Sequence, residues 1–389
     1  MAAAGALAAV LALVATATAD VELSVRGEGR SIVVGAPPAS APGASAESRT
    51  SVMSASLTPR ISLAADGAPG RVVASYSAYL WTQDVGAASG LLVNHGVDAR
   101  AELGREGPWR AVATASGTLG MSEPLSAPPG AAGVSQYASA GPLHYQALGA
   151  SARGELQRDR TTTGLTLSGA ESSGMGPAAR SVMPLQRTAS AEASTRWLAT
   201  EVDALALSLG AARTWTESGP GAVVTSYAST LATWHRGLSP TTGGWVGAGA
   251  SVSSSSGGGS LSLQPSAEVG FRQAGVRTQQ QTVARLTVYV DRFTGTLSPM
   301  AQASWSILWT AADRWGVSGT TSVAGTDSGT VLAALDLRTT WAVRDRLALE
   351  TGAVARWQRD PRPDVPSFFE VGVFLAVSQA ATFRVASGP

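Results

Sequence analysis

Charged side chains recur at every second position within short stretches of this sequence. Asp98, Arg100 and Glu102 are separated by single residues, and Asp336 and Arg338 repeat that spacing. Alternate residues of an extended chain project to the same side, so each stretch presents its charges on one face. Such a face can line a polar passage in which rings of charge select the solute. It can also form ion-pair ladders between strands that only stabilise the wall.

The same parity rule extends this charged face along the chain. We expect it to carry Arg60, Arg100, Arg153, Arg285, Arg338, Arg356, Asp98, Glu102, Glu268, Asp336 and Glu350, together with Arg110, Arg196, Arg272, Glu155, Glu192, Asp291 and Glu370. Positive and negative charges balance in this set. Balanced charge favours ion-pair ladders over a strongly selective funnel.

The sequence contains few residues suited to catalysis. Its three histidines, His95, His144 and His235, are far apart, and it has no cysteine. A hydrolase would require His144 or His235 to lie beside a serine and an acid, and the many serines single out no pair. No zinc-type cluster or nucleotide-binding fingerprint is present. We therefore expect no enzymatic activity, no metal and no cofactor.

The stretch that best shows the underlying element is Gly295 to Trp309. From Leu297 onward, apolar residues alternate almost strictly with Ser, Met and Gln, which is the period of a β-strand with one apolar and one polar face. About ten residues ending in tryptophan suffice for a tilted strand to cross a bilayer. This stretch therefore predicts a membrane-spanning strand.

The alternation recurs from Arg49 to the end of the chain, with turn residues between segments. We expect an all-β fold of about 16–18 antiparallel strands, since bacterial barrels favour even counts. Two connections are long, at about residues 122–142 and 171–187. A soluble β-sandwich also alternates, but its buried face is normally rich in large aliphatic residues and its outer face heavily charged. The Ala- and Gly-diluted apolar face here favours a closed transmembrane β-barrel.

Most of the 11 tryptophans fall near predicted strand ends. A girdle at the bilayer interface explains this placement, whereas a carbohydrate-stacking track would need the rings on the polar face. The residues assigned to the girdle are Trp81, Trp109, Trp305, Trp309, Trp341 and Trp357.

Overall composition excludes one class of partner. Lys and Arg number 28 against 27 Asp and Glu, which argues against nucleic-acid binding. Residues 1–19 form an apolar run closed by Ala17-Thr18-Ala19, which predicts a cleaved signal peptide rather than an uncleaved anchor. Residues 20–48 are rich in Ala, Gly, Pro and Ser, and we interpret them as a flexible periplasmic segment.

These features together resemble the outer-membrane β-barrel proteins of Gram-negative bacteria. The resemblance covers residues 49–389 and identifies no subfamily. It implies an outer-membrane location, contact with the lipid bilayer and with the barrel-insertion machinery, and periplasmic export components as candidate partners. The family usually ends in a strand closed by Phe or Trp, and Phe383 is the residue that matches this position.

The function we expect is a polar channel for passive diffusion or export of a hydrophilic solute, with polysaccharide as one candidate. The alternative is a non-conducting structural or surface-interaction barrel, with the connections at 122–142 and 171–187 as contact sites. The two differ in whether these connections fold inward and occlude the interior.

Overall fold

The computed structural model describes residues 18–35, 49–67, 70–84, 91–104, 107–121, 144–218, 221–256, 261–291, 295, 297–362 and 367–385. The strands are β1 (Thr18–Gly35), β2 (Arg49–Gly67), β3 (Gly70–Asp84), β4 (Leu91–Leu103), β5 (Trp109–Met121), β6 (His144–Arg158), β7 (Thr161–Gly174), β8 (Gln186–Leu198), β9 (Asp203–Ser218), β10 (Gly221–Ser239), β11 (Thr242–Ser255), β12 (Ser262–Ala274), β13 (Thr278–Val290), β14 (Leu297–Ala312), β15 (Trp315–Thr326), β16 (Val331–Arg344), β17 (Leu347–Arg359) and β18 (Phe368–Val385). One short helix, α1 (Pro177–Val182), lies between β7 and β8.

The 18 strands form a single closed sheet. Each strand pairs antiparallel with its neighbours in sequence, and β1 pairs with both β2 and β18. Closure leaves no strand edge unpaired, which is the condition a sheet must meet inside a bilayer. The prediction of an antiparallel barrel of 16–18 strands is confirmed.

The first strand corrects one sequence interpretation. Residues 20–48 were expected to form a flexible segment, but residues 20–35 belong to β1 and complete the ring. Residues 36–48, and residues 1–17 of the predicted signal peptide, lie outside the described residues. Phe383 falls in the closing strand β18, where its backbone pairs with Val21.

The two ends of the barrel differ in the length of their connections. At one end the strands are joined across residues 68–69, 104–108, 159–160, 199–202, 240–241, 275–277, 313–314 and 345–346. The other end carries the connections 36–48, 85–90, 122–143, 175–185, 219–220, 256–261, 291–296, 327–330 and 360–367. We call them the short-turn end and the long-connection end. The start of β1 and the end of β18 both lie at the short-turn end.

Contacts between strands that are not neighbours identify the concave face. Arg26 on β1 reaches Glu350 on β17 past the intervening β18, with Nη1 and Oε2 2.8 Å apart. Thr225 on β10 donates to the carbonyl of Gly295, which follows β13. Side chains converge across several strands only inside a closed sheet. Directly paired residues project to the same side, so the strand register extends this inner face around the barrel.

The opposite, outer face carries the large apolar side chains. On β9, Leu205, Leu207 and Leu209 alternate with Ala206 and Ser208 and are all exposed. The same holds around the ring, for example at Leu165, Val246, Val323, Val373 and Leu375.

The connection at residues 171–187 is ordered around α1. The amide of Gly174 donates to the carbonyl of Met183 at 2.8 Å, and Ala179 and Met183 are buried against the end of β7. The connection at residues 122–142 lies outside the described residues. No helix in the described part of the chain is long and apolar enough to cross a bilayer.

Candidate functional site

The strand register places the predicted charged residues on the inner face. On β4, Val97 and Ala99 project outward, so Asp98, Arg100 and Glu102 project inward. By the same pairing the inner face carries Arg60, Arg110, Arg153, Glu155, Glu192, Arg196, Glu268, Arg272, Arg285, Asp336, Arg338, Glu350, Arg356 and Glu370. That these residues line a conducting lumen stays a prediction.

Several inner ion pairs join residues on the same strand, two positions apart. Arg100 pairs with Glu102 at 2.5 Å, and Arg153 pairs with Glu155. Arg338 binds Asp336 with two parallel hydrogen bonds of 2.7 Å. The sequence hypothesis of ladders between strands is thus incomplete.

Other inner pairs cross between neighbouring strands. Arg285 of β13 lies 3.2 Å from Glu268 of β12. Arg356 of β17 lies 3.4 Å from Glu370 of β18. Both links therefore add to the backbone pairing of their strands.

A larger network crosses the seam where the sheet closes. Arg26 of β1 binds both Glu28 of its own strand and Glu350 of β17. Glu350 also pairs with Arg338, whose Nη1 lies 3.4 Å from Glu350 Oε1. Arg26 can reach over β18 because the residue between Glu28 and Glu350 in the register is Ala376, which has a short side chain. Sequence reasoning missed Arg26 because its segment was interpreted as a linker.

The inner wall is open toward the short-turn end. The Arg100 and Arg153 side chains are 55% and 58% exposed although they project inward. A cavity of about 560 Å³ lies along the inner wall between β12 and β16, lined by Arg272, Asp336 and Arg338 among others. Exposed ion pairs contribute little to stability, so these charges are available to a solute.

Toward the long-connection end, the inner wall is covered by other parts of the protein. Inner-facing polar side chains there are almost fully buried, namely Thr216, Thr225, Thr330, Gln358 and Glu370. Gly295 has a φ of +68°, and a Cβ on it would lie 3.1 Å from side chains of Thr216 and Val223. Only glycine therefore fits where this connection turns inward against β9 and β10.

A second inward connection meets the first through Arg362. Its guanidinium binds Asp360 at 2.8 Å and Asp291, the residue after β13, at 2.7 Å. Thr330 Oγ1 donates to Asp360 at 2.7 Å. Three connections of the long-connection end are thus tied together, and we call Asp291, Thr330, Asp360 and Arg362 the loop latch.

The latch changes the acidity of its carboxylate. Burial of Asp360 disfavours its charged form, but hydrogen bonds from Arg362 and Thr330 outweigh burial and lower its pKa to about 2. Hydrogen bonds to Asp360 and Asp291 raise the pKa of Arg362. Both groups are therefore charged at neutral pH.

The tryptophans divide between the two faces. Trp109, Trp309 and Trp341 lie on the outer face at the short-turn end and are exposed, as Trp197, Trp234 and Trp315 are. Trp357 is exposed on the outer face near the long-connection end, and Trp305 lies on the outer face in the middle of β14.

Trp81 was assigned to the interface girdle, and that assignment is wrong. Its neighbours Leu80 and Thr82 take the outward positions of β3, so its ring projects inward, where it is only 1% exposed. Trp245 also projects inward, since Val246 lies on the outer face.

The three histidines lie apart. His95 is on the outer face, where its Nδ1 lies 2.8 Å from the Tyr76 hydroxyl. His235 projects inward and stacks on Trp245, while His144 begins β6. In the described strands neither His144 nor His235 hydrogen-bonds to a serine or an acid. The described residues also contain no cluster of three or more metal-binding side chains.

The fold is shared with solved structures, whereas no protein-family model and no curated protein matches the sequence. The copper transporter OprC is 8% identical, with a TM-score of 0.46 over 94% of this chain and 80% of that chain. The siderophore receptor PirA from Pseudomonas aeruginosa is 9% identical, with a TM-score of 0.45 over 92% and 80%. OpdO from Pseudomonas aeruginosa is 10% identical, with a TM-score of 0.44 over 94% and 98%.

At this level of identity the likeness concerns the fold alone.

Proposed function

We propose that this chain is an outer-membrane channel for small hydrophilic solutes. The observation that carries the proposal is the contrast between the two faces of one closed sheet. The outer face is apolar, and the inner face presents solvent-accessible charges. A closed sheet with this polarity matches the bilayer outside and water inside.

The outer apolar band has charged borders. Asp203 and Arg236 lie on the outer face at the short-turn end, where Asp203 also accepts a hydrogen bond from the Trp234 indole at 3.1 Å. Toward the other end the first outer charges are Arg213 and the pair Glu171–Arg187. The described outer-face positions between these borders carry no Asp, Glu or Arg, which suits the hydrocarbon core of a bilayer.

The asymmetry of the connections supports an orientation. Outer-membrane barrels carry short turns on the periplasmic side and longer loops outside. The short-turn end of this barrel would face the periplasm, and the loop latch would lie near the cell surface. A solute entering from outside would pass the latch first and then the open, charged half.

The inward connections favour a small solute over an exported polymer. Asp291, Gly295 and residues 360–362 occupy part of the long-connection mouth, and a polymer would need a continuous wide passage. The competing function is a non-conducting structural barrel. Burial of the inner side chains at the long-connection end favours that function if the rest of this mouth is also closed.

Swelling of proteoliposomes in neutral sugars of increasing size tests the proposal. We expect vesicles with the refolded chain to swell fastest in small sugars, with a size limit below that of long oligosaccharides. Protein-free vesicles set the baseline. Equal swelling with and without the barrel would contradict the proposal and support the structural alternative.

A further inference from the structure

Two aromatic rings stack on each other on the inner wall near the short-turn end. His235 and Trp245 are direct partners across β10 and β11, and their rings are stacked with centroids 6.1 Å apart and planes 24° from parallel. The Trp245 indole donates to Glu268. We call His235 and Trp245 the ring platform.

A glycine lies beneath the Trp245 ring of the platform. A Cβ on Gly270, the β12 partner of Trp245, would lie 2.0 Å from Cζ2 of the indole. The indole therefore lies directly over Gly270, where a larger residue would displace it. Both rings are half-buried, so a solute can reach them.

The platform lies beside positive charge that the protein itself leaves unpaired. Among the inner arginines named above, Arg60 donates to Ser75, and all but two of the others have an acidic partner. The exceptions are Arg196 and Arg272, which make no ion pair or hydrogen bond with a described residue.

Both unpaired arginines border the platform. Arg272 is two residues from Gly270 and is therefore a diagonal neighbour of Trp245 across β11 and β12. Arg196 pairs with Ala206, two residues from the Ala204 that pairs with His235. Both guanidinium groups act electrostatically on the His235 imidazole. The nearby Glu268 is already neutralised by Arg285 at 3.2 Å.

We propose that the ring platform with Arg196 and Arg272 is a binding site for a ring-bearing carboxylate, such as an acidic sugar. The carboxylate binds a guanidinium group, which matches its planar geometry, and the ring of the solute stacks on Trp245. This proposal adds a solute class to the proposed channel function. The biological role of the site rests on that function. Binding itself does not require conduction.

Calorimetric titration of the refolded barrel with sodium glucuronate tests the site. Glucose supplies the ring without the charge, and acetate supplies the charge without the ring. We expect glucuronate to bind more tightly than either. We expect R196Q or R272Q to weaken glucuronate binding about tenfold, the scale of one lost charge-assisted hydrogen bond.

Matched variants separate binding from folding. W245L should weaken glucuronate and leave acetate unchanged, whereas W245F keeps a ring and should keep most of the affinity. R314Q removes an exposed arginine from the turn between β14 and β15 and should bind like wild type. Heat-modifiable migration in detergent gels verifies that each variant is folded.

The outcomes distinguish this inference from the channel proposal. Equal binding of glucuronate, glucose and acetate, or full affinity in R272Q and R196Q, overturns the site while leaving a measured conductance intact. Binding that depends on these arginines in a barrel that does not conduct supports the site and rejects the channel.

Discussion

Arg362 shows how a single residue can narrow one mouth of the barrel. It binds Asp360 of its own connection and Asp291 of another connection. Parity assigned Asp291 to the inner face, but its spacing of 71 positions from Arg362 carries no pattern. Only the curvature of the closed sheet brings them together.

The latch predicts a defined dependence of stability on pH. The lowered pKa of Asp360, about 2 in the folded protein, means that its network adds stability above about pH 4, the ordinary carboxylate range. That contribution is lost as the pH falls toward about 2. We therefore expect R362Q to have a lower free energy of unfolding than wild type at pH 7, with most of the difference lost by about pH 2.

Urea unfolding of both proteins from lipid vesicles at several pH values measures this difference. The exposed arginine of the β14–β15 turn supplies the control, since R314Q should match wild type throughout. A difference that persists unchanged at pH 2, or none at pH 7, would show that the latch does not act as described.

At the scale of elements, alternation identified the strands after Arg49 but not the first one. In β1, Leu23 and Val25 follow the outward parity, yet Gly27 and Gly29 continue it without side chains. A lipid-facing glycine leaves no apolar signal, so the strand resembled a linker. The assignment of Trp81 to the girdle was wrong for a different reason, because a position near a strand end does not determine which face the ring occupies.

The ring platform could be found only in part from sequence. Parity assigns Trp245 and Arg272 to the inner face, which a stacking track requires. The stacking with His235 and the absence of acids beside Arg196 depend on strand register, which one sequence does not fix. Of the loop latch, parity assigned only Asp291 to the inner face.

Adjacent residues of β9 provide a test of the two faces. Leu207 projects outward and Ser208 inward. We expect L207R to destabilise the barrel in vesicles by about 2–4 kcal/mol, the cost of an arginine facing the bilayer midplane, and S208R to cost far less.

Urea unfolding from vesicles of defined thickness measures both β9 variants. Equal destabilisation by the two substitutions would mean that the Leu207 face does not contact lipid.

For the whole molecule, the seam between β1 and β18 decides whether the sheet is a ring. The chain has no cysteine, so an introduced pair reports on one contact only. Ser24 and Ala380 are direct partners across the seam. Their Cα atoms should lie within the range a disulfide accepts.

We expect S24C with A380C to cross-link rapidly under mild oxidation and to change migration in non-reducing gels. The pair S24C with S304C, which places the second cysteine on β14, should stay reduced. No cross-link in the seam pair of a folded barrel would argue against closure through β1.

The central claim is that this ring encloses a polar passage through the outer membrane. Single-channel recording of the refolded chain in a planar bilayer tests it most directly. The account predicts steady openings, with ion selectivity shifted by substitution of Arg100, Arg285 or Arg338 on the inner wall. Persistent silence from protein shown to be folded and inserted would contradict it.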